Sequence, residues 1–314
     1  MKPLCIYHGN CADGFGAAWV LWKHFKGEVD FYPGVYQRLP PDVTGRDVIM
    51  VDFSYKRATL DLMIDRARSV LIIDHHKTAA EDIGDWLRVS TWEAWQDVLA
   101  TPGPGDFAAF FDMRRSGAGL AWDFFNPGES RPKLINHIED RDLWRFALPF
   151  TREIQASMFS LPYHFETWDD RFTHFEWNEK TRQKVITEGA AIERKHHKDI
   201  EELIAVVTRP MVFRVPIPGG YQTAMVPVAN LPYTMTADAG HLLCGCDLFG
   251  HVDPVVKHPF AGCYWDKPDG RQFSLRSQDD GADVSEIAKL YSGGGHARAS
   301  GFLVPYSRLA EFEP

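Results

Sequence analysis

Two stretches, DVIMVD (47–52) and SVLIID (69–74), bracket the segment YKRATLDLMIDRAR (55–68). Each stretch is apolar without alternation until it closes on an aspartate, the pattern of a strand covered on both faces. The segment between them has the spacing of an amphipathic helix. LCIY (4–7) followed by DGFGAAWVLWKHF (13–25) repeats the same order at the start of the chain. Such alternation predicts an α/β fold with a parallel sheet in the N-terminal part.

Composition narrows the rest. With 314 residues, 45% hydrophobic and 25% charged, the chain has the length of two ordinary globular domains. No apolar run approaches the ~20 residues of a transmembrane helix, and MKPLCIYHGN reads as a first strand rather than a secretory leader. The five cysteines (Cys5, Cys11, Cys244, Cys246, Cys263) form no disulfide framework, which points to a reducing cytoplasm. Cys244 and Cys246 make a lone C-x-C and read as structural. A formal charge of −9 argues against stable binding of long DNA by charge alone. It leaves room for a small phosphorylated substrate held by a few local arginines.

Further along, TPGPGD (101–106) is a Pro/Gly turn cluster, followed by helical pieces at 117–125 and 132–144. Residues 176–204 read as a long polar helix with a narrow apolar stripe of Val185, Ile192, Ile200 and Leu203. From about 209 the chain becomes proline-rich and strand-like. FAGCYWD and RQFSLRS suggest paired strands, and DVSEIAKLY (283–291) opens like a capped helix. The expected organisation is 1–175, a helical connector at 176–207, and a smaller mixed α/β domain at 208–314.

In an open parallel sheet, functional groups gather beyond the carboxyl ends of the strands. Those ends carry His8, Asn10, Cys11 and Asp13 after the first strand, Asp52 after the second, and Asp74, His75 and His76 after the third. HIEDRD adds His137, Glu139, Asp140 and Asp142. Each acid alone reads as a helix cap, and each histidine as a surface residue. Together they are the oxygen and nitrogen donors that suit Mn²⁺-like ions, and a carboxylate can bridge two such ions in phosphoryl chemistry.

HGNCADGFGAA, VIMVDFS, LIIDHH and IEDRDLW, in this order, resemble the successive motifs of the DHH phosphoesterase superfamily. SGGGHARASGF (292–302) resembles the glycine-rich motif of the DHHA1 domain found in one branch of it. The resemblance implies a hydrolase, akin to the nanoRNase or oligoribonuclease type, that uses a two-metal site and a metal-bound hydroxide. Implied substrates are short oligonucleotides, dinucleotides or 3′,5′-bisphosphorylated adenosine, with Mn²⁺ as the metal and Mg²⁺ or Co²⁺ as substitutes. By position, Asp13, Asp52, His75 and Asp140 would ligate one metal, and Asp52 would bridge to a second held by His8. Asp74 would orient His75 or lie close to the metals, and His76 would contact the phosphate or protonate the leaving oxygen. Asp142 stands as the alternative to Asp140, which occupies the usual motif place. Many relatives carry an acid where this chain has Cys11, so the second metal would be held more weakly or by a different ligand set. Arg276, Gly293, Gly294, Gly295, His296 and Arg298 would hold the nucleotide away from the cut. A cytoplasmic enzyme with no membrane partner is expected, and homodimerisation is compatible with such a chain. The other reading is a catalytically degenerate member that binds nucleic acid or a partner protein.

Overall fold

Neighbouring residues of the apolar stretches serve two different cores. Val48 and Met50 lie in one cluster with Val70 and Ile72, whereas Ile49 and Val51 lie in another with Leu71 and Ile73. That is why neither stretch alternates in polarity. All eight are at most 2% exposed, so truncating any of the larger ones to alanine carries a cost of about 2–5 kcal/mol. The computed structural model describes residues 1–9, 11–100 and 106–313, so Asn10 and most of the turn cluster at 101–106 lie outside the described residues. The chain divides into two compact units, Met1–Glu193 and Arg194–Pro314.

The first unit runs β1 (Leu4–His8), α1 (Ala12–His24), β2 (Asp30–Gly34), β3 (Asp47–Val51), α2 (Arg57–Ile64), β4 (Ser69–Asp74), α3 (Lys77–Ile83), β5 (Leu87–Arg88), α4 (Trp92–Ala100) and β6 (Asp106–Phe111). Four helices follow: α5 (Gly117–Phe125), α6 (Lys133–Asp142), α7 (Thr151–Phe159) and α8 (Phe165–Trp177). The strands form one six-stranded sheet in the order β2-β1-β3-β4-β6-β5, parallel throughout. Helices α1, α5, α6 and α8 supply residues to the core on one face, and α2 and α3 to the core on the other. The carboxyl ends of β1, β3 and β4 are therefore neighbours, which sets their terminal residues side by side.

Helix α9 (Glu179–Val207) spans the division between the units. Val185 packs into the core of the first unit, and Ile200 into a core of the second. The expected stripe is corrected at its end: Leu203 is 37% exposed, and Ile204, one full turn beyond Ile200, takes the buried place at 2%.

The second unit continues with β7 (Thr208–Ile217), β8 (Gly220–Asn230), α10 (Thr236–Leu243), β9 (Ala261–Lys267), β10 (Gly270–Arg276), α11 (Val284–Lys289), β11 (Gly294–His296) and β12 (Ala299–Val304). Its sheet, β11-β12-β10-β9-β8-β7, is antiparallel except for the β8–β9 pair. FAGCYWD and RQFSLRS are paired as β9 and β10, with Phe273 opposite Tyr264. Asp283 caps α11 by accepting from the Ser285 amide at 3.0 Å. Cys244, Cys246 and Cys263 are buried together in an apolar cluster, which accounts for the C-x-C without a metal. The fold is thus α/β, with a parallel sheet in one unit and a mixed sheet in the other. Among the described residues, no helix is long and apolar enough to cross a membrane.

Candidate metal centre

His75, the residue after β4, is 1% exposed and is the hub of the strand-end cluster. Its Nε2 stands 3.0 Å from Asp52 Oδ1, 3.6 Å from Asp13 Oδ2 and 3.7 Å from Asp142 Oδ2. These three carboxylates come from three separate segments: the start of α1, the end of β3 and the end of α6.

Backbone geometry explains how they meet. Asp52 follows β3 in a left-handed conformation, φ 53°, which is uncommon for a non-glycine residue and gathers at functional sites. Its amide donates to Ile73 O at 2.9 Å, tying the turn to β4. Asp13 lies in the first turn of α1 but does not cap that helix. Its oxygens accept from Gly117 N at 2.6 Å and Ala118 N at 2.9 Å, so it serves the amino end of α5, where a negative charge is favoured. Gly117 is required there, since a Cβ would lie 2.4 Å from Asp52 Cβ.

Asp74 is fully buried. Its Oδ1 accepts from the His75 amide at 2.7 Å and pairs with His76 Nδ1 at 2.7 Å. The expectation that Asp74 orients the His75 ring is therefore corrected: it fixes the ring of His76 and the backbone of His75. The contact of Nδ1 with Asp74 thus sets the orientation of the His76 ring.

The HIEDRD residues divide three ways. Glu139 accepts from Ser116 N at 3.0 Å and pairs with Arg131 at 3.0 Å. Asp140, the expected ligand, is 5% exposed and turned to its own loop. It accepts from Ala147 N at 2.8 Å, Leu148 N at 3.0 Å and Thr151 Oγ1 at 2.6 Å. Although burial alone raises it, these bonds hold its carboxyl below the usual range. Asp142, with its side chain 26% exposed, is the acid that faces His75. The correction has a helical reason. Asp142 follows Ile135 by seven residues and Ile138 by four, so it shares their side of α6 at its carboxyl end, while Asp140, buried with Leu134, Ile135 and Ile138, turns to its own loop.

A second group lies beside the first. His8 Nδ1 is 3.4 Å from Asp52 Oδ2, and donor atoms of His8, Cys11 and Asp52 all lie within 4.8 Å of one another. Asp52 Oδ2 is buried and has no hydrogen-bond partner. Such an atom costs about 1–3 kcal/mol if nothing meets it, and a cation bridging the two groups is what would meet it. Carboxylates and imidazoles in this density fit a divalent ion of the Mn²⁺ kind.

The protonation pattern agrees. Burial, then Asp52 and Asp142, push the Asp13 carboxyl well above its ordinary value. Burial opposes charge on His75, yet its bond to Asp52 and the nearby acids carry it well above the usual imidazole range. Both shifts favour the protonated forms of Asp13 and His75, with which a cation would compete. Metal loading near neutral pH is therefore expected to release about one to two protons per chain. Calorimetry in buffers of different ionisation enthalpy checks this, and a buffer-independent heat would contradict it.

The glycine-rich segment of the second unit is put to structural use at several positions. Arg298 Nη1 donates to Gly281 O at 2.7 Å and to Ala282 O at 3.3 Å, and Nη2 donates to Asp279 O. Its guanidinium thus pins the 279–282 turn. A Cβ on Gly293 would lie 2.2 Å from Gly301 O, and one on Gly295 (φ 136°) 2.6 Å from Ala299 O. Close packing on β12 therefore accounts for both glycines. Gly294 and His296 pair with Gly301 and Ala299 in the β11–β12 ladder. Arg276 ends β10, with Nη1 donating to Ser274 Oγ at 3.0 Å and Leu275 O at 2.8 Å.

No protein-family profile matches the chain. An uncharacterized protein of Acanthamoeba polyphaga mimivirus is 29% identical over 315 aligned residues, covering 94% of this chain and 66% of that protein. The chain thus spans just under two thirds of the length of this curated relative. Among solved structures, RecJ from Thermus thermophilus in complex with Mn²⁺ overlays with a TM-score of 0.44 and 14% identity, covering 98% of this chain and 50% of that one. The pGpG-specific phosphodiesterase PggH from Vibrio cholerae overlays with a TM-score of 0.42 and 12% identity, covering 98% and 94%.

Proposed function

We propose that this chain is a phosphoesterase of the DHH–DHHA1 type that uses divalent metal to hydrolyse phosphoester bonds in short nucleotides. The observation that carries the reading is the ring of Asp13, Asp52 and Asp142 around His75 Nε2. Asp13 has the α5 amides as partners, but three acids gathered about one imidazole repel one another beyond what those bonds require. They make sense as a cation cage.

In this reading Asp13, Asp52, His75 and Asp142 would hold one ion, and His8 and Asp52 would help hold a second. Two divalent ions supply positive charge that activates water and stabilises charge developing on the phosphoryl oxygens. The chain's own part is positional. Asp52 is held by its turn, and Asp13 by the α5 amides. His76, braced at Nδ1 by Asp74, offers a proton from Nε2 to the leaving oxygen. Arg276 of the second unit binds a phosphate remote from the cut, with His296 paired to the same β12 residue, Ala299, a task that guanidinium geometry suits. Metal chemistry belongs to 1–175, nucleotide binding to 208–314, and 176–207 connects them. Five free cysteines suit a cytoplasmic enzyme, and Mn²⁺ suits the oxygen-rich first site.

A panel of Mn²⁺ assays tests the substrate class. Dinucleotides, longer oligomers, cyclic dinucleotides and 3′,5′-bisphosphorylated adenosine would be compared at equal concentration. The reading predicts the fastest turnover on the shortest substrates; a rate that climbs with oligomer length would contradict it. Arg276→Ala is expected to raise KM by about 10–100-fold with kcat within about threefold, as for binding remote from the reacting bond. An unchanged KM would remove Arg276 from the site.

A further inference from the structure

Cys11 occupies the N-cap position of α1, yet its side chain makes no capping hydrogen bond. The other four cysteines are buried among apolar side chains, whereas Cys11 is half-buried and faces polar groups. Its sulfur and the donor atoms of His8 and Asp52 lie within 4.8 Å of one another. The Asp52 oxygen on that side, Oδ2, belongs to a residue 1% exposed and has no hydrogen-bond partner. A cap role therefore does not account for the thiol, which faces His8, and the carboxylate oxygen has only His8 Nδ1 at 3.4 Å beside it. A metal ion explains both.

The two halves of the cluster also differ in donor chemistry. Around Asp13, His75 and Asp142 every donor is a carboxylate or an imidazole, the set that oxygen-preferring ions favour. Around His8, Cys11 and Asp52 one donor in three is sulfur, the softer donor that ions such as Zn²⁺ and Co²⁺ accept. Three protein donors with one position left over is the usual arrangement of a catalytic rather than a structural zinc site.

We propose that Cys11, with His8 and Asp52, makes the second metal subsite a thiolate site that selects a thiophilic ion such as Zn²⁺ or Co²⁺ over Mn²⁺, so that the centre holds two unlike metals. This rests on the reading of the cluster as a metal centre and specifies which ion each half takes. On binding, the thiol proton passes to solvent or buffer and one metal–sulfur bond forms, with no change of oxidation state.

The test starts from metal-free full-length protein titrated with Co²⁺. Sulfur-to-cobalt charge-transfer absorption in the near ultraviolet is expected in the native chain and lost in Cys11→Ser and Cys11→Asp. Loading with an equimolar Zn²⁺ and Mn²⁺ mixture should give one of each per native chain. Cys11→Asp should shift the Zn²⁺-to-Mn²⁺ retention toward Mn²⁺ by about tenfold or more. Should the aspartate fail to fold, the near-isosteric serine variant still reads the absorption. Co²⁺ bound without the absorption, or absorption that survives Cys11→Ser, would overturn the thiolate subsite alone. Failure to bind any divalent ion would overturn the metal-centre reading with it.

Discussion

His75→Ala is expected to abolish turnover, with a fall on the order of 10³-fold or more in kcat and loss of at least one bound metal ion. The size follows from position. Nε2 of His75 lies within 3.7 Å of three carboxylates, so its removal takes away the one nitrogen they share. A fall of that order corresponds to roughly 4 kcal/mol of transition-state stabilisation. The main chain at 74–76 does not depend on the ring, because Asp74 accepts from the His75 and His76 amides. The fold should therefore survive, with circular dichroism unchanged and a cooperative melt retained. His75→Asn, closer in volume, guards against collapse of the vacated space. Metal stoichiometry and rate measured together decide the matter, and a folded variant with a near-native rate would remove His75 from the centre.

The second large effect separates two acids only two residues apart. Asp142→Asn should lower kcat by about 10²–10³-fold while leaving the melting temperature of the metal-free protein unchanged or raised. Burial and Asp52 push the Asp142 carboxyl up, against the pull of His75, so its charge is a burden until an ion arrives. Asp140→Asn should do the reverse. It weakens charge-assisted bonds to Ala147, Leu148 and Thr151, a loss of about 1.5–3 kcal/mol, and leaves kcat within severalfold. The sign with pH follows from the depressed folded pKa of Asp140. Its contribution is full above the unfolded value of ~3.9 and is lost as pH falls through the folded one. The gap between native and Asp140→Asn melting temperatures should thus be widest near neutrality and close in acid. Equal rates for Asp142→Asn and the native chain would reverse the assignment.

These two acids show how far the sequence could be read. The sheet was legible because Val48–Val51 and Val70–Ile73 must be covered on both faces, and a buried parallel strand leaves little choice of pattern. Asp13, Asp52, His75 and His76 were legible because the ends of such strands converge. Helical phase did not separate Asp142 from Asp140, because Asp140 is among the buried residues of α6 and Asp142 follows Ile138 by one turn. Motif position pointed to Asp140, whose partners are Ala147 and Leu148 in a loop that no periodicity describes and Thr151 at the start of α7. Likewise Arg298 binds three carbonyls of the 279–282 turn, and a sequence does not say whether a guanidinium meets a backbone or a ligand. The Asp13 bonds to the α5 amides join residues 104 and 105 apart in the chain. Only the folded arrangement could show that one carboxylate serves both a helix end and the cluster.

The most direct measurement is release of mononucleotide from an end-labelled dinucleotide by chelator-treated protein as Mn²⁺ is added back. The account predicts no release without divalent metal, recovery as the ion is restored, and no recovery in His75→Ala. Absence of turnover with Mn²⁺, Mg²⁺ and Co²⁺, in protein shown to be folded and metal-loaded, would contradict it and leave a nucleotide-binding protein without catalysis.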